Sequence, residues 1–352
     1  MSVFVLIYLL ALVVLLVLGY WLKYHHFIYY RGPSTDHFDG KTFSNYTENH
    51  HRGLLDFLKW RLLGNRAHWP EHLSNKLEDM PPSRVEGNNI RVSMIGHATV
   101  LIQTQGMNLI TDPVYAEKAG PLGLMGPKRV VAPGVKFENL PKIDAILLSH
   151  NHYDHMDIVA LKAIVARDKA MIITPLGNDV ILKRQGINSN IVVLDWHQNY
   201  PISPDINIIL TPAEHWSSRY GMDKNRALWG GFIVQSSGGY AYFAGDTGYG
   251  DGGIFRAIKE KYGIPKIAIL PIGAYEPRWF MKIVHINPED AVKAFIDLGK
   301  PKTLGIHFGV FQLTDEAYNH PMHKLSDALD ALSPREREHF KPFYPGEVCE
   351  VK

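Results

Sequence analysis

The chain has 352 residues, enough for one large domain or two modest ones, and 46% hydrophobic residues can fill a sizeable core. With 37 Lys+Arg against 35 Asp+Glu the formal charge is nearly balanced, which excludes the basic footprint of a dedicated nucleic-acid binder. Cys349 is the sole cysteine, so no intramolecular disulfide can form, and any metal must be held mainly by His, Asp or Glu, for which the 18 histidines are an unusual supply.

From Val3 to Leu22 the chain reads VFVLIYLLALVVLLVLGYWL, without a charge. A helix of that length spans ~30 Å at ~1.5 Å per residue, the thickness of a bilayer core, so a single N-terminal transmembrane anchor is expected over residues 1–22. No basic region precedes it and no small-residue cleavage site follows, which argues against a cleaved signal peptide. Lys23, His25, His26 and Arg31 come next, beside Tyr20, Trp21, Tyr24, Tyr29 and Tyr30. That bias places the expected catalytic domain on the cytoplasmic side of a membrane.

Residues 23–87 read as a polar juxtamembrane collar. One amphipathic stretch in it puts Leu54, Leu55, Leu58 and Leu62 on a single helical face. The main domain is expected over 88–352. Short β-type runs recur there, at Val100–Thr104, Asn108–Thr111, Ala145–Ser149, Met171–Thr174, Ile191–Leu194, Ile206–Thr211, Phe232–Gln235, Tyr240–Ala244, Ile267–Pro271 and Thr303–His307. Helical patterns interleave at Asp157–Arg167, Ile254–Tyr262, Pro288–Leu298 and His323–Leu332. The third is well punctuated, with Asn287 as N-cap, Pro288 next and Gly299 just past its end. Many strands with helices between them predict sheets covered by helices, a layered α/β or α+β domain.

The apolar run Ala145–Leu148 stops abruptly in Ser149-His150-Asn151-His152-Tyr153-Asp154-His155. Open sheets place their sites at such strand ends. Neutral imidazoles with a carboxylate suit zinc, with iron or manganese also able to fit. One loop does not close two metal sites, and other apolar runs also stop at ligand-type residues: Glu214-His215, Gly245-Asp246-Thr247 and His307.

The H-x-H-x-D-H run, followed by His215, the Gly245-Asp246-Thr247 turn and His307, resembles the metallo-β-lactamase superfamily. Within it the chain is most similar to the N-acyl-phosphatidylethanolamine-hydrolysing phospholipase D group. The runs Ile95–Val100, Thr111-Asp112-Pro113, Met125–Arg129, Ser149–Asp157, Ala244–Tyr249 and Pro271–Lys282 carry that likeness, which extends over roughly residues 88–345.

The resemblance implies an αββα sandwich, of class α+β, with two zinc ions at one sheet edge. His150, His152 and His215 would hold the first ion, Asp154, His155 and His307 the second, and Asp246 would bridge them. It implies a phosphodiesterase of phospholipase D type. The enzyme would cleave N-acyl-phosphatidylethanolamine or related glycerophospholipids to phosphatidic acid and the free headgroup, an N-acylethanolamine, through a metal-bridging hydroxide. The alternative is a superfamily hydrolase acting on a soluble substrate such as a sugar-phosphate lactone. The expected partners are a phospholipid, the membrane and, in a homodimer, a second copy of the chain; no nucleic acid is expected.

Asp154, Asp246 and His285 are the candidate catalytic residues. His97, Asp112 and Asp157 are placed to orient ligand imidazoles through their outer nitrogens. For His97 a core histidine, and for His285 a structural residue before a helix, are equally good readings. Tyr153 and Tyr275 are expected to line the pocket or simply to pack. Arg278 and Lys282 either steer an anionic headgroup or are solvated surface charges.

Overall fold

Apolar residues at every second position give a strand two different faces, and here both faces of most strands find a cover. The computed structural model describes residues 3–25, 28–47, 52–75 and 77–352. Among these the strands are β1 (Ile90–Gly96), β2 (Thr99–Thr104), β3 (Met107–Thr111), β4 (Ala145–Leu147), β5 (Met171–Pro175), β6 (Ile191–Leu194), β7 (Asn199–Ser203), β8 (Ile206–Thr211), β9 (Gly231–Ser236), β10 (Gly239–Phe243), β11 (Ile267–Pro271), β12 (Lys302–Ile306), β13 (Phe340–Pro342) and β14 (Val348–Val351). They form two seven-stranded sheets, in the orders β14-β1-β2-β3-β4-β5-β6 and β13-β12-β11-β10-β9-β8-β7. Each sheet is antiparallel at one end and parallel at the other, β3 to β6 in the first and β10 to β13 in the second. Gln105-Gly106 closes the β2–β3 hairpin with φ of 51° and 69°, the paired positive φ of a two-residue turn that follows the strand twist.

The pleat sorts the core. On β8, Ile208 and Leu210 enter the space between the sheets while Ile209 faces outward; on β10, Ala241 and Phe243 point in and Tyr240 and Tyr242 out. The helices are α1 (Val3–His25), α2 (Leu54–Leu63), α3 (Ile158–Asp168), α4 (Asn178–Arg184), α5 (Gly253–Tyr262), α6 (Arg278–Met281), α7 (Pro288–Asp297) and α8 (His320–Leu329), followed by a short turn of helix near the C-terminus. Ile158, Leu161, Ile164, Ile181 and Leu182 of α3 and α4 cover the outer face of the first sheet. Phe255, Val292, Phe295 and Leu325 of α5, α7 and α8 cover that of the second. The result is the helix–sheet–sheet–helix sandwich expected from the sequence. Asn287 caps α7 as expected, its side chain accepting from the Asp290 amide.

One expectation fails. Among the described residues no helix is long and apolar enough to cross a membrane, so the single-pass anchor over 1–22 is corrected, and with it the membrane location and the cytoplasmic orientation. Helix α1 runs from Val3 to His25, but its described side chains are those of residues 4–19. The side chains of residues 20–27, which carry most of the expected aromatic and basic flank, lie outside the described residues.

Helix α2 forms where the leucine pattern places a helix. Its leucine face is not the buried one: Leu55 and Leu62 are 82% and 79% exposed, whereas Trp60 is 8% exposed. The indole wins because it buries more area and has an N–H to satisfy, which it donates to Asp315 Oδ2 at 2.9 Å.

Burial between the sheets makes a direct prediction. Phe232, fully buried between them, anchors β9; Phe232→Ala is expected to cost ~3–5 kcal/mol in urea unfolding.

Candidate metal centre

Chain segments leaving β1, β3, β4, β8, β10 and β12 deliver His97, Asp112, the Ser149–His155 run, His215, Asp246 and His307 to one edge of the sandwich. Three of these residues have left-handed backbone: Asp112 (φ 34°), His97 (φ 59°) and His307 (φ 63°). Such conformations cost of order ~1–3 kcal/mol each in a non-glycine residue and persist only where the surroundings hold them.

His150 Nε2 lies 2.8 Å from His152 Nδ1, which is 3.3 Å from His215 Nε2. His155 Nε2 lies 3.3 Å from His307 Nε2, and Asp154 Oδ2 is 3.4 Å and 3.5 Å from these two. Asp246 reaches both groups, with Oδ2 3.2 Å from His155 Nε2 and 3.7 Å from His215 Nε2, and Oδ1 3.2 Å from His307 Nε2. All seven expected ligand residues therefore meet.

Outer hydrogen bonds decide which nitrogen of each ring faces inward. Ser149 Oγ accepts from His150 Nδ1 at 2.8 Å, Asp112 Oδ2 from His155 Nδ1 at 2.7 Å, and the Val284 carbonyl from His215 Nδ1 at 2.9 Å. Each bond uses the proton on Nδ1 and turns an Nε2 lone pair into the cluster. Asp112 is itself held by the amide and hydroxyl of Ser149, at 2.7 and 2.6 Å. His97 Nε2 donates to Asp154 Oδ2 at 2.9 Å and its ring packs on His307 at 3.9 Å between centroids. His97 and Asp112 thus contact the cluster through Asp154 and His155.

Burial, with the neighbouring rings, holds His150 well below the usual imidazole range and lowers His152 to about 3. Burial likewise lowers His215 to about 4, against the pull of Asp246. The first cluster is therefore one of neutral rings with converging lone pairs. In the second, burial opposes charge but is outweighed. Asp246, Asp154 and Asp112 hold His155 well above its ordinary value, and Asp246 and Asp154 push His307 up to about 9. Asp154 and Asp246 lie well below the carboxylate range, held there chiefly by His155.

This donor set fits divalent metal. The ring nitrogens of His150, His152 and His215 converge at 2.8–3.3 Å, an arrangement of donors that one divalent cation would draw on together. Asp246 Oδ1 and His152 Nε2 are buried with no hydrogen-bond partner among the described residues. The groups His150, His152, His215 and His97, Asp154, His155, His307 each bring their ligand atoms within 4.8 Å of one another. The chain thus carries His/Asp clusters able to bind metal.

His285 joins from the segment before α7, its Nδ1 3.9 Å from Asp246 Oδ2 and its ring 5.1 Å from that of His215. Burial holds it well below the usual imidazole range. Tyr153 lines the adjoining cavity with the Arg219 guanidinium 4.2 Å over its ring.

Asp157 and Arg278 do other work, and Tyr275 packs. Asp157 is the N-cap of α3, accepting from the Val159 and Ala160 amides and, through its other oxygen, from those of Tyr115 and Ala116. A carboxylate before a helix serves free amides first. Arg278 donates to Asp290 Oδ2 and to the His285 carbonyl, so it ties the His285 segment to α7 rather than facing the cavity. Tyr275 is buried outside the cavity lining, its ring against His320.

Sequence reasoning missed the walls. The cavity has a volume of about 660 Å³, and Phe57, Trp60, Phe280, Met281, Ile283 and Leu313 make an apolar side. Arg52 and Lys224 also line it, lying over the rings of Trp279 and Trp216. Missed too was Arg219, whose Nη1 donates to the Asn151 and Met156 carbonyls and braces the histidine loop. These contacts join residues far apart in the chain and leave no local pattern.

A profile of the beta-lactamase superfamily domain matches residues 107–308, a span holding all seven clustered residues. The chain belongs to the metallo-β-lactamase superfamily and is a metal-dependent hydrolase of that group. It is similar to N-acyl-phosphatidylethanolamine-hydrolyzing phospholipase D 1 of Caenorhabditis elegans, 38% identical over 266 residues that cover 73% of this chain and 74% of that one. The mitochondrial N-acyl-phosphatidylethanolamine-hydrolyzing phospholipase D of Saccharomyces cerevisiae is 34% identical over 259 residues, covering 72% of this chain and 54% of the yeast protein. This chain thus spans about half the length of the yeast relative. Among solved structures, a metallo hydrolase from the archaeon Ignicoccus hospitalis matches with a TM-score of 0.54, at 21% identity, over 75% of this chain and 99% of its own. That is a likeness of fold.

Two aspartates that look alike in sequence should separate by experiment. Asp112→Ala strips the acceptor from Ser149 and His155 and is expected to weaken zinc binding ~10–100-fold, read by titration against a chelator. Asp157→Ala is expected to cost ~1–2 kcal/mol in urea unfolding through the lost cap, with zinc affinity unchanged.

Proposed function

We propose that this protein is a zinc-dependent phosphodiesterase of phospholipase D type, acting on N-acyl-phosphatidylethanolamine or a closely related glycerophospholipid. The observation that carries the reading is the cavity itself. Apolar Phe57, Trp60, Phe280 and Leu313, the cations Arg52 and Lys224, and His152, Asp154, His215 and Asp246 of the clusters line this one cavity. An amphiphile with an anionic phosphodiester matches this lining. The similarity to two proteins named for that hydrolysis supports the same substrate class.

His150, His152 and His215 would hold one ion, Asp154, His155 and His307 the other, with Asp246 shared. Bound there, two zinc ions would supply Lewis acidity, lowering the pKa of a water toward neutrality and offsetting phosphodiester charge. The protein's own groups do the positioning. His97 fixes Asp154 and Asp112 fixes His155, so the cluster does not reorganise as charge develops. Asp246, its Oδ1 3.2 Å from His307 Nε2, is placed to orient the attacking water.

In the reaction the water oxygen bonds to phosphorus, the bond from phosphorus to the ethanolamine oxygen breaks, and the water's proton ends on the departing alkoxide. His285, held neutral by burial, faces this centre as a hydrogen-bond donor for phosphate or leaving oxygen rather than as a charge.

Metal-loaded protein given a mixed phospholipid panel in ¹⁸O water is expected to release an N-acylethanolamine and phosphatidic acid labelled on phosphate, read by mass spectrometry. Faster cleavage of a water-soluble lactone than of any phospholipid would overturn the reading. His152→Ala and Asp246→Asn are expected to abolish turnover with circular dichroism unchanged. His285→Ala is expected to lower kcat by ~10²-fold or more at unchanged metal content.

A further inference from the structure

The superfamily domain, residues 107–308, contains His215, yet part of what holds His215 in place comes from the polar segment far upstream of it. The Asn45 amide closes a two-way clasp on that residue's main chain. Asn45 Nδ2 donates to the His215 carbonyl at 3.0 Å, and Asn45 Oδ1 accepts from the His215 amide at 3.0 Å. The same Oδ1 also accepts from Trp229 Nε1 at 3.1 Å. An amide side chain is the one group that presents a donor and an acceptor side by side in this way.

Asn45 is itself firmly set. Phe38 and Phe43, each 2% exposed, bury the segment in the core between the sheets, and the Phe43 amide donates to the Asn225 carbonyl at 2.7 Å. Two residues on, Thr47 Oγ1 donates to Glu214 Oε2 at 2.7 Å. Glu214 in turn bonds through its amide to Thr247 Oγ1 and through its carbonyl to the Gly248 amide, on the turn that carries Asp246. The ring of His215 is fixed separately, by the Val284 carbonyl. Ring orientation alone does not place Nε2; the main chain that carries the ring must be placed as well.

We infer that Asn45 is a positioning residue for the metal centre: its clasp sets the His215 backbone so that Nε2 meets His150 and His152. The upstream segment is thereby a working part of the hydrolase. This inference depends on the reading of His150, His152 and His215 as metal ligands.

The test uses the full chain, stripped of metal and titrated with Zn²⁺ against a chelating dye and with Co²⁺ by visible absorption. Asn45→Ala is expected to lose at least ~10-fold in Zn²⁺ affinity and to shift the Co²⁺ d–d bands, while circular dichroism shows the protein folded. Asn45→Asp keeps both accepted bonds and loses the donated one, so its affinity should fall between alanine and parent. A merely structural asparagine would lower the melting temperature and leave the affinity of the folded protein untouched. That result for Asn45→Ala, or for Asn45→Asp if the alanine variant does not fold, overturns the clasp alone. A parent protein that takes up no divalent metal overturns the metal-centre reading and the clasp with it.

Discussion

Converging lone pairs and carboxylates, taken out of water, are the constraint on which the rest of this molecule depends. Six imidazoles and two carboxylates meet within hydrogen-bonding range at one sheet edge, and most of them are almost wholly buried. Uncompensated, such a group is among the most costly things a protein can bury. The surroundings meet the cost in two ways. Ser149, Asp112 and the Val284 carbonyl take the outer protons of three rings, and His97 braces Asp154. The backbone meanwhile accepts left-handed φ at His97, Asp112 and His307 to bring those side chains to the cluster. The donor set that remains suits divalent cations.

The sandwich is the means of bringing these groups together. Two sheets with alternating inner and outer faces pack their inner rows into one core, which leaves strand ends free to carry polar residues. Six different strands each contribute to the edge, so a rigid scaffold rather than a flexible loop sets the distances. The polar segment before β1 then closes one side. Phe57 and Trp60 wall the cavity, and Asn45 reaches His215. Fold and site are thus not separable at residue 88, where the strand pattern begins; the upstream chain belongs to the chemistry.

Several misreadings share one cause. Asp157 and Asp112 both precede or follow a strand or helix end near the histidine loop, and sequence adjacency made them equivalent. Only the fold shows that one carboxylate faces helix amides and the other an imidazole. Arg278, read as a headgroup contact or a solvated charge, is instead paired with Asp290 of the next helix. The leucines of α2 obey a helical period, but periodicity states which residues share a face and not which face is covered; Trp60 decided that through Asp315, across more than half the chain. The N-terminal apolar run was read by hydropathy alone, and among the described residues no helix is long and apolar enough to cross a membrane.

What the sequence determined by itself was whatever acts over short range. The period-two runs located most of the strands, the Asn287-Pro288 start located α7, and the H-x-H-x-D-H loop with the ligand-type residues closing three other strands announced the cluster. Four strands escaped notice: β1, inside its sheet, and the edge strands β7, with Pro201 within it, β13 and β14, the last two only three and four residues long. What only the tertiary structure decided was which nitrogen of each imidazole faces inward, which of two aspartates braces the cluster, and which segments wall the cavity. Those outcomes follow from hydrogen bonds between residues distant in sequence, whose geometry exists only once both sheets are packed.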